Sequence, residues 1–432
     1  MMTGASKRSK RSWPAAVWSL SLLFFGLLAV LPAAGQQAAE RDPHRGALIA
    51  GGVDQFNGPM VTAEFYNFKA EAFSCKFLGG VNSATGACRN TLAQGRFFAS
   101  VAPLRGGAVL IAGGNGIGTT CLNSAEVYDS STRKFTATGS MTDAHCFAHT
   151  TTVLQNGEVL ITGGEDETGN LVNTADMYNP ASDKFECSGL GGADPTTGYC
   201  QSTLTDARFL DTATLLKNGY VLIAGGFDGS IVNTAELFNP VAETFGCSGL
   251  GGLNTTTGFC NNTMTDSREN HTATLIVTGP NAGDVLIAGG LDAAGNVQQT
   301  AERYSPTAGN FTATGRMTHA RYLHTATRLR SGRILITGGE DGTGTVLKTA
   351  EVYRPFAGTF RRVGAMTTAR ALHTAVLITS GPKKGYVLIA GGIDNAGKTL
   401  GTAELFDPQT GKFSKTRSME VRRSSQDGTA LP

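Results

Sequence analysis

One segment recurs seven times along the chain with nearly constant internal spacing. Each copy has an apolar run that ends in Gly-Gly, and further on a small residue, Ala, an acid and, within two positions, an aromatic residue. The second glycine precedes the acid by 12 residues in six copies and by 10 in the fourth, and a phenylalanine follows every acid by 9 residues. Fixed offsets of this kind indicate a tandem repeat, whose units pack mainly against their neighbours.

Each unit predicts four β-strands. The first reads Arg-x-x-His-Thr-Ala-Thr, as from Arg321 to Thr327. The second is the apolar run, typical of a strand buried on both faces, and Gly-Gly allows a tight exit from it. The third holds the acid and the aromatic residue and ends at turn residues such as Asn-Pro. The fourth is short and surrounds the phenylalanine.

Composition narrows the class of protein. Glycine supplies 57 of the 432 residues, 16 per cent of residues are charged and 41 per cent are hydrophobic. So much glycine disfavours helical bundles, and so little charge disfavours a disordered chain. The formal net charge of +2 gives no strong field for nucleic acid, so we expect no nucleic-acid partner.

The hydrophobic-Gly-Gly strand and the later tyrosine, as in Tyr178-Asn-Pro, resemble the kelch-repeat family from about Arg45 to the C-terminus. The chain is also similar to the central kelch domain of galactose oxidase. This resemblance implies an all-β fold, a seven-bladed β-propeller of four-stranded kelch-like blades. Kelch repeats usually carry tryptophan on the fourth strand, whereas every copy here carries phenylalanine.

The two ends of the chain complete one blade in this prediction. The first copy lacks an arginine strand before Ala47, and Arg423 follows Phe413 by 10 residues, the spacing of the short linkers. The C-terminal segment is therefore expected to supply the first strand of blade one, which leaves no free sheet edge. We assign residues 36–432 to this single propeller domain.

The N-terminus predicts export. A basic cluster from Lys7 to Arg11 precedes an apolar run from Trp13 to Ala34, which ends in small residues. These features are typical of a secretory signal peptide, here residues 1–35. The alternative is an uncleaved membrane anchor, because 22 apolar residues can span a bilayer. We expect a secreted, periplasmic or cell-surface protein.

Six of the eight cysteines form three pairs with one spacing, each in a long linker between repeats. An even count in an exported chain indicates disulfides, and a zinc site would need a Cys-x-x-Cys pair or nearby histidines. The kelch resemblance implies that the loops of Cys121 and Cys146 emerge on one face, so these two are expected to pair. The predicted bonds are Cys75–Cys88, Cys187–Cys200, Cys247–Cys260 and Cys121–Cys146.

A cation on the first strand and an acid on the third strand recur in every blade. Blade three changes both residues together, to histidine and aspartate, which indicates structural ion pairs within each blade rather than a ring of catalytic acids. The predicted pairs are Arg96 with Glu126, His145 with Asp176, Arg208 with Glu236, Arg268 with Glu302, Arg321 with Glu351, Arg370 with Glu404 and Arg423 with Glu64.

The remaining polar repeats favour structure over chemistry. Four histidines occupy one repeat position, where other blades have Asp211 or Ala99, so we interpret them as bonding to strand neighbours rather than to a metal. An aspartate two residues after Gly-Gly is typical of an Asx turn, because a calcium loop needs several oxygen ligands. We therefore expect no cofactor, no metal and no catalytic residue. The four histidines are His149, His271, His324 and His373.

These observations predict a non-catalytic binding scaffold. The disulfide-closed loops break the symmetry of the ring, so they are the expected recognition surface for a protein or carbohydrate ligand. The alternative is an extracellular carbohydrate-active enzyme, galactose-oxidase-like or lyase-like, with its site at the central mouth of the ring. We expect a monomer, with membrane contact only if residues 13–34 are not removed.

Overall fold

The computed structural model describes residues 45–56 and 58–431, and it contains 28 β-strands and three short 3₁₀ helices. The predicted signal peptide, residues 1–35, lies outside the described residues. Within the described part, none of the helices has the length and hydrophobicity needed to cross a membrane. The 3₁₀ helices are Cys75–Phe77, Arg105–Gly107 and Ile117–Thr119.

The strands are short, three to five residues each. In chain order they are β1 (Gly46–Ala50), β2 (Ala63–Asn67), β3 (Ala72–Ser74), β4 (Ser100–Pro103), β5 (Ala108–Ala112), β6 (Ala125–Asp129), β7 (Lys134–Ala137), β8 (Thr150–Val153), β9 (Val159–Thr162), β10 (Ala175–Asn179), β11 (Lys184–Glu186), β12 (Thr212–Leu215), β13 (Val221–Ala224), β14 (Ala235–Asn239), β15 (Thr244–Gly246), β16 (Thr272–Leu275), β17 (Val285–Ala288), β18 (Ala301–Ser305), β19 (Asn310–Ala313), β20 (Thr325–Arg328), β21 (Ile334–Thr337), β22 (Ala350–Arg354), β23 (Thr359–Arg362), β24 (Thr374–Leu377), β25 (Val387–Ala390), β26 (Ala403–Asp407), β27 (Lys412–Thr416) and β28 (Asp427–Ala430).

These strands form seven antiparallel sheets of four, and each sheet is one blade. Blade 1 has the order β28-β1-β2-β3, and blades 2 to 7 each use four consecutive strands, from β4–β7 to β24–β27. The innermost strands of neighbouring blades contact one another all the way round, from β28 to β4 and from β24 back to β28. The predicted all-β, seven-bladed propeller is confirmed.

The apolar core lies between the blades. Every residue of the second strands β9, β13, β17, β21 and β25 is buried, as a strand covered on both faces requires. Between blades 5 and 6, for example, Leu286 packs in one cluster with Ile336 and Tyr353. On the outer strands the third-strand aromatic stacks on the fourth-strand phenylalanine, with ring centroids 4.9 Å apart for Tyr353 and Phe360. The Phe thus supplies the aromatic packing at the position where kelch repeats usually have tryptophan.

The C-terminal strand closes the ring, as the linker spacing predicted. Strand β28 pairs antiparallel with β1, with Ala430 opposite Ala47, and the Leu431 amide donates to the Gly46 carbonyl at 2.8 Å. Leu431 is buried in the core between blades 1 and 2. Closure therefore covers the inner edge of β1, which would otherwise be an unpaired strand edge.

The antiparallel pairing defines two faces of the disc. Each second strand ends at Gly-Gly, beside the start of the first and third strands of its blade. The connections from the second to the third strand, and from the fourth strand to the first strand of the next blade, therefore lie at this end of the blade. We call this side of the disc the mouth face. Connections from first to second and from third to fourth strand leave at the opposite end, the back face. Arg45 and Leu431 both lie on the back face, because both adjoin Gly46 at the start of β1.

Removal of residues 424–432 is expected to destabilise the whole disc rather than one blade. The deletion unpairs β1 and removes the contacts that β28 makes with β4 and β24. We expect a loss of more than about 3 kcal/mol in the free energy of unfolding, the scale of a large buried deletion, measured by urea denaturation. Removal of residue 432 alone is the control. An unchanged unfolding curve for the long deletion would contradict the closure.

Candidate functional site

Buried charge pairs join the third strand of every blade to the segment just before its first strand. The cation lies in this segment and not in the first strand itself, where the sequence predicted it. The cation and the acid have almost no exposed surface, and the nitrogen–oxygen distances are 3.0 to 3.6 Å. The structure thus brings together each of the residue pairs singled out in the sequence. The distances are 3.3 Å for Arg96–Glu126, 3.1 Å for His145–Asp176, 3.6 Å for Arg208–Glu236, 3.0 Å for Arg268–Glu302, 3.1 Å for Arg321–Glu351, 3.0 Å for Arg370–Glu404 and 3.1 Å for Arg423–Glu64.

The arginine also fixes the Gly-Gly turn. Arg96 Nη1 donates to the carbonyls of Gly113 and Ser124, both at 2.9 Å. The first glycine of the turn has left-handed backbone and close neighbours: a Cβ on Gly51 would stand 2.5 Å from the Arg96 carbonyl oxygen. Burial lowers the pKa of Arg96, and the charge and hydrogen bond of Glu126 oppose this shift. These contacts pair the Arg96 head with a carboxylate and two carbonyls, although its Nε has no partner among the described residues, and they favour the structural interpretation.

Blade 4 departs from this pattern because three carboxylates surround one arginine. Arg208 Nη2 lies 3.3 Å from Asp206 and 3.6 Å from Glu236. Burial raises the pKa of both carboxyl groups, although the Arg208 charge opposes it. Asp211 is the third acid, and the Arg208 charge also opposes the rise that burial causes in its pKa. The connection after Gly226 in this blade is two residues shorter than in the others.

The four repeated histidines join neighbouring blades. The Nε2 atoms of His271, His324 and His373 lie 3.0 Å from threonine hydroxyls on the first strand of the preceding blade, and that of His149 lies 2.8 Å from Ser100 Oγ. Burial lowers the pKa of all four, to about 3 for His149 and His271, so the rings are neutral at neutral pH. Each histidine bonds one inner strand to the next, and the four do not converge on a common centre.

Asp211 takes the place of this histidine in blade 4. Its side chain is 1 per cent exposed, and neither carboxylate oxygen has a hydrogen-bond partner in another described residue. Burial raises its pKa to about 7. In the preceding blade, the hydroxyl at the position that meets histidine in blades 5 to 7 is Thr150, which bonds to Thr162 at 2.7 Å. An unpartnered buried carboxyl is a local destabilising element.

Asp211 gives the fold a predictable pH dependence. A carboxyl group with a raised pKa stabilises the folded state while it is protonated, below its usual pKa near 4, and this contribution is lost as the pH rises through 7. We therefore expect Asp211→Asn to flatten the fall in stability between about pH 4 and pH 7. The gain at pH 8 should reach about 2–4 kcal/mol, measured by urea unfolding across that range. Equal pH slopes in the two proteins would show that Asp211 does not ionise inside the fold.

The eight cysteines form four disulfide bonds. Cys75–Cys88, Cys187–Cys200 and Cys247–Cys260 each close a loop between the fourth strand of one blade and the first strand of the next. These loops lie along the outer rim: the carbonyl of Phe77 accepts a hydrogen bond from the Tyr128 hydroxyl of the next blade at 2.8 Å. Cys121–Cys146 instead joins blades 2 and 3 on the mouth face. Four disulfides are typical of proteins in an extracellular or oxidising environment.

A ring of paired residues surrounds the axis on the mouth face. In each blade the residue after the first-strand cation bridges to the residue after Gly-Gly. Unlike the scaffold positions, these vary in chemistry from blade to blade, so this ring is where the sevenfold pattern breaks. The pairs are Ser424–Val53, Phe97–Asn115, Cys146–Glu165, Phe209–Phe227, Glu269–Leu291, Tyr322–Glu340 and Ala371–Ile393.

The next residue of each blade has left-handed backbone and links the blades around the axis. Ser425 donates its amide to the Leu372 carbonyl and Leu372 donates to Leu323, both at 3.3 Å, and Asn270 and Leu210 make the equivalent bonds to their preceding blades. The apolar side chains here, with their neighbours in the ring of pairs, form one cluster drawn from six blades. Blade 5 contributes Glu269 and Asn270 instead. The left-handed backbone repeats in every blade, so the fold imposes it.

Two glutamates, a tyrosine and an asparagine form a polar group beside this apolar cluster. The Tyr322 hydroxyl donates to Glu340 at 2.9 Å, and Asn270 Nδ2 donates to Glu269 at 3.2 Å. Burial raises the pKa of Glu269 to about 7 and raises that of Glu340. Burial also raises the pKa of Tyr322, and the charges of Glu340 and Glu269 add to it, which places both carboxylates near the phenol. Groups of this kind can exchange protons near neutral pH.

The described residues offer no preformed metal site. Within 45–56 and 58–431, no three His, Cys, Asp or Glu side chains are grouped to hold an ion. The aspartates after Gly-Gly bond to their own loops, as Asp292 does to the amides of Ala294 and Asn296 at 2.9 Å. They make the Asx-type bonds predicted from the sequence.

The polar group at the mouth does not stand out in the repeat pattern. Tyr322 and Glu340 of this group lie directly after two highly regular positions, the cation and the Gly-Gly pair, in segments that resemble linkers. Alignment of the seven residues that follow Gly-Gly would have shown the signal, because they are Val, Asn, Glu, Phe, Leu, Glu and Ile in chain order. A variable position next to an invariant one is a candidate for function within a repeat array.

Seven four-stranded blades closed by the C-terminal strand, with an irregular axial mouth, define a β-propeller protein. Residues 380–420, in blade 7, match the family model described as Kelch motif. A solved structure titled "Structure of YjhT" is similar in fold, with a TM-score of 0.52 and 12 per cent identity over 74 per cent of this chain and 97 per cent of that one. No curated protein sequence matches the chain. The similarity to galactose oxidase stays a prediction.

Proposed function

We propose that this protein is an exported, non-catalytic scaffold that binds a protein or carbohydrate ligand on its mouth face and the adjoining disulfide loops. One observation carries the proposal. Six of the eight large apolar side chains exposed in the described residues lie in these connections and loops, namely Phe56, Val61, Val81, Ile117, Tyr199 and Leu253. Exposed apolar side chains on otherwise polar loops are typical of interaction surfaces.

The disulfides support this assignment. A loop closed at its base loses less conformational freedom when a ligand orders it, so its exposed residues bind at a smaller entropic cost. The blade core below each loop is buried and regular, which holds the loop on a rigid support. The cysteine pairing and the basic and apolar N-terminal pattern support export, and both favour a secreted or cell-surface protein.

The test compares binding surfaces in one protein. Replacement of residues 186–207 by the short linker 312–320 removes one disulfide loop and keeps a linker length that the chain already uses between blades. We expect this variant, and separately Phe56→Ser with Ile117→Ser, to stay folded and to lose at least about thirtyfold in ligand affinity, measured by glycan arrays and by capture from the exported fraction. The back-face pair Val241→Ser with Phe356→Ser is the control. Full binding by the mouth-face variants would contradict the proposal.

The polar group at the mouth favours a second candidate, an acid–base enzyme acting on a carbohydrate. Glu269 and Glu340 lie near Tyr322 at the end of the axis, and their raised pKa values suit proton transfer near neutral pH. The galactose-oxidase-like form of this candidate has no free cysteine to use, because all eight cysteines are in disulfides. A lyase-like enzyme would need only the carboxyl groups of Glu269 and Glu340 and the hydroxyl group of Tyr322.

Turnover of an oligosaccharide panel decides between the two candidates. An enzyme should show activity with a pH limb near 7, set by Glu269, and Glu269→Gln or Glu340→Gln should lower kcat/KM by more than about a hundredfold. Glu158→Gln on the back face is the matched control. No turnover by the wild-type protein, together with saturable binding of the same sugar, would favour the scaffold.

A further inference from the structure

The two faces of the disc carry opposite charge. The seven connections from second to third strand, on the mouth face, hold nine carboxylates and two lysines, a net charge of 2 − 9 = −7. The carboxylates are Asp54, Glu165, Asp166, Glu167, Asp228, Asp292, Glu340, Asp341 and Asp394, and the lysines are Lys348 and Lys398.

The back face has the reverse balance. The connections from first to second strand in blades 2 to 7 hold six cations and two acids, a net charge of 6 − 2 = +4. One of the acids, Asp284, is paired with Arg303 on the third strand at 2.5 Å. Five of the cations are exposed and Lys383 is half-buried. The cations are Arg105, Lys217, Arg330, Arg333, Lys383 and Lys384.

Contacts between neighbouring blades gather these cations into one surface. Arg105 Nη2 donates to the Gln155 carbonyl of the next blade at 3.2 Å, and Gln155 Nε2 donates to the Lys217 carbonyl of the blade after it at 3.1 Å. On the far side, Arg330 Cδ lies 3.2 Å from the position of a Cβ on Gly385 in blade 7. The connections therefore touch one another around the axis, and we call them the basic ring.

Exposed apolar side chains flank the basic ring. Phe356 is 77 per cent exposed and Val241 is 90 per cent exposed, and both lie in third-to-fourth connections on the back face. The amide nitrogen of Phe356 is 3.2 Å from the position of a Cβ on Gly279, so this loop adjoins the first-to-second connection of blade 5. Cations beside exposed aromatic and aliphatic side chains are typical of surfaces that bind the lipid–water interface.

The path of the chain points the same way. The described chain enters blade 1 at Arg45 and leaves it at Leu431, both on the back face. Ten residues, 35–44, separate Arg45 from the apolar run 13–34. The apolar run is therefore attached to the disc at its back face.

We propose that the back face binds the surface of an anionic phospholipid bilayer through the basic ring, Phe356 and Val241, and that the mouth face points away from the membrane. Attraction comes from the lysines and arginines near the anionic headgroups, and the two apolar side chains enter the interface. The acidic second-to-third connections of the mouth face are repelled by the same headgroups, which favours this orientation. The inference concerns a face that the proposed recognition function does not use.

Vesicle co-sedimentation tests the charge requirement. The chain that starts at Gln36 is the form to use, because the described blades close without residues 1–44. We expect it to sediment with vesicles of phosphatidylcholine and phosphatidylglycerol, to ignore vesicles of phosphatidylcholine alone, and to be released between about 50 mM and about 500 mM salt. The triple variant Lys217→Glu, Arg330→Glu, Lys384→Glu should lose at least about a hundredfold in partitioning, at about fivefold for each cation removed.

A matched variant distinguishes the effect of the face that carries the substitutions from the effect of net charge. Lys348→Glu, Lys398→Glu and Arg422→Glu change the net charge by the same amount at three exposed positions, two of them in mouth-face connections and the third in the linker beside them. This variant should stay within about threefold of the wild-type chain, because its changes lie away from the bilayer and are screened. Equal losses in the two triple variants would overturn the orientation.

A single tryptophan reports which face meets the lipid. Both native tryptophans, Trp13 and Trp18, precede Gln36, so Phe356→Trp introduces the only indole of the shortened chain. Its fluorescence should shift to the blue on addition of anionic vesicles, whereas Ile117→Trp on the mouth face should not respond. Three results would each overturn the proposal. The first is a fluorescence response from position 117 alone, and the second is binding to neutral vesicles at high salt. The third is binding to a soluble polyanion such as dextran sulfate without binding to vesicles.

Discussion

The buried charge pair of each blade is the interaction on which the remaining structure depends. In blade 6 the guanidinium group of Arg321 donates to the carbonyl of the first glycine in the turn, to the carbonyl of the residue before the third strand, and to Glu351. Glu351 also accepts hydrogen bonds from the amides of Thr318 and His319 in the incoming linker. Three segments distant in sequence thus meet at one ion pair. Loss of either ion would leave the other uncompensated in an apolar interior, so the pair and the Gly-Gly turn are expected to change together.

Blades 3, 4 and 5 depart from the residue pattern that the other blades share. Blade 3 keeps the charge pair with a histidine and an aspartate, and the Cys121–Cys146 bond fastens it to blade 2. Blade 4 has more acid than its arginine can neutralise. Blade 5 brings a glutamate and an asparagine to an axis that the other blades line with apolar side chains. These three neighbouring blades also border the disulfide loops 187–200 and 247–260, so the asymmetry is concentrated in one sector.

The fold could be predicted from the sequence because a repeat multiplies a weak signal by seven. A single Val-Leu-Ile-Ala-Gly-Gly run is ambiguous, but seven runs with constant offsets to Glu and Phe specify strand number, blade number and closure. The mouth could not be predicted in the same way. Tyr322 bonds to Glu340 within blade 6, and Glu269 comes from the neighbouring blade 5, so the group depends on positions that vary from blade to blade. Asp211 is visible in the sequence as a variant of the histidine position, but the lack of a hydrogen-bond partner for its carboxylate among the described residues is visible only in the structure.

The hydrogen bond from Leu431 to Gly46 makes the molecule a ring without a privileged first blade. Since both ends of the described chain meet on one strand pair, the ring itself does not require that the chain begin in blade 1. A circular permutant, with the two ends joined and a new opening cut in an exposed connection such as that between β14 and β15, would hold the same set of contacts. In the native chain, by contrast, blade 1 can be completed only after the last strand, β28, is available. The C-terminal residues therefore close the whole disc.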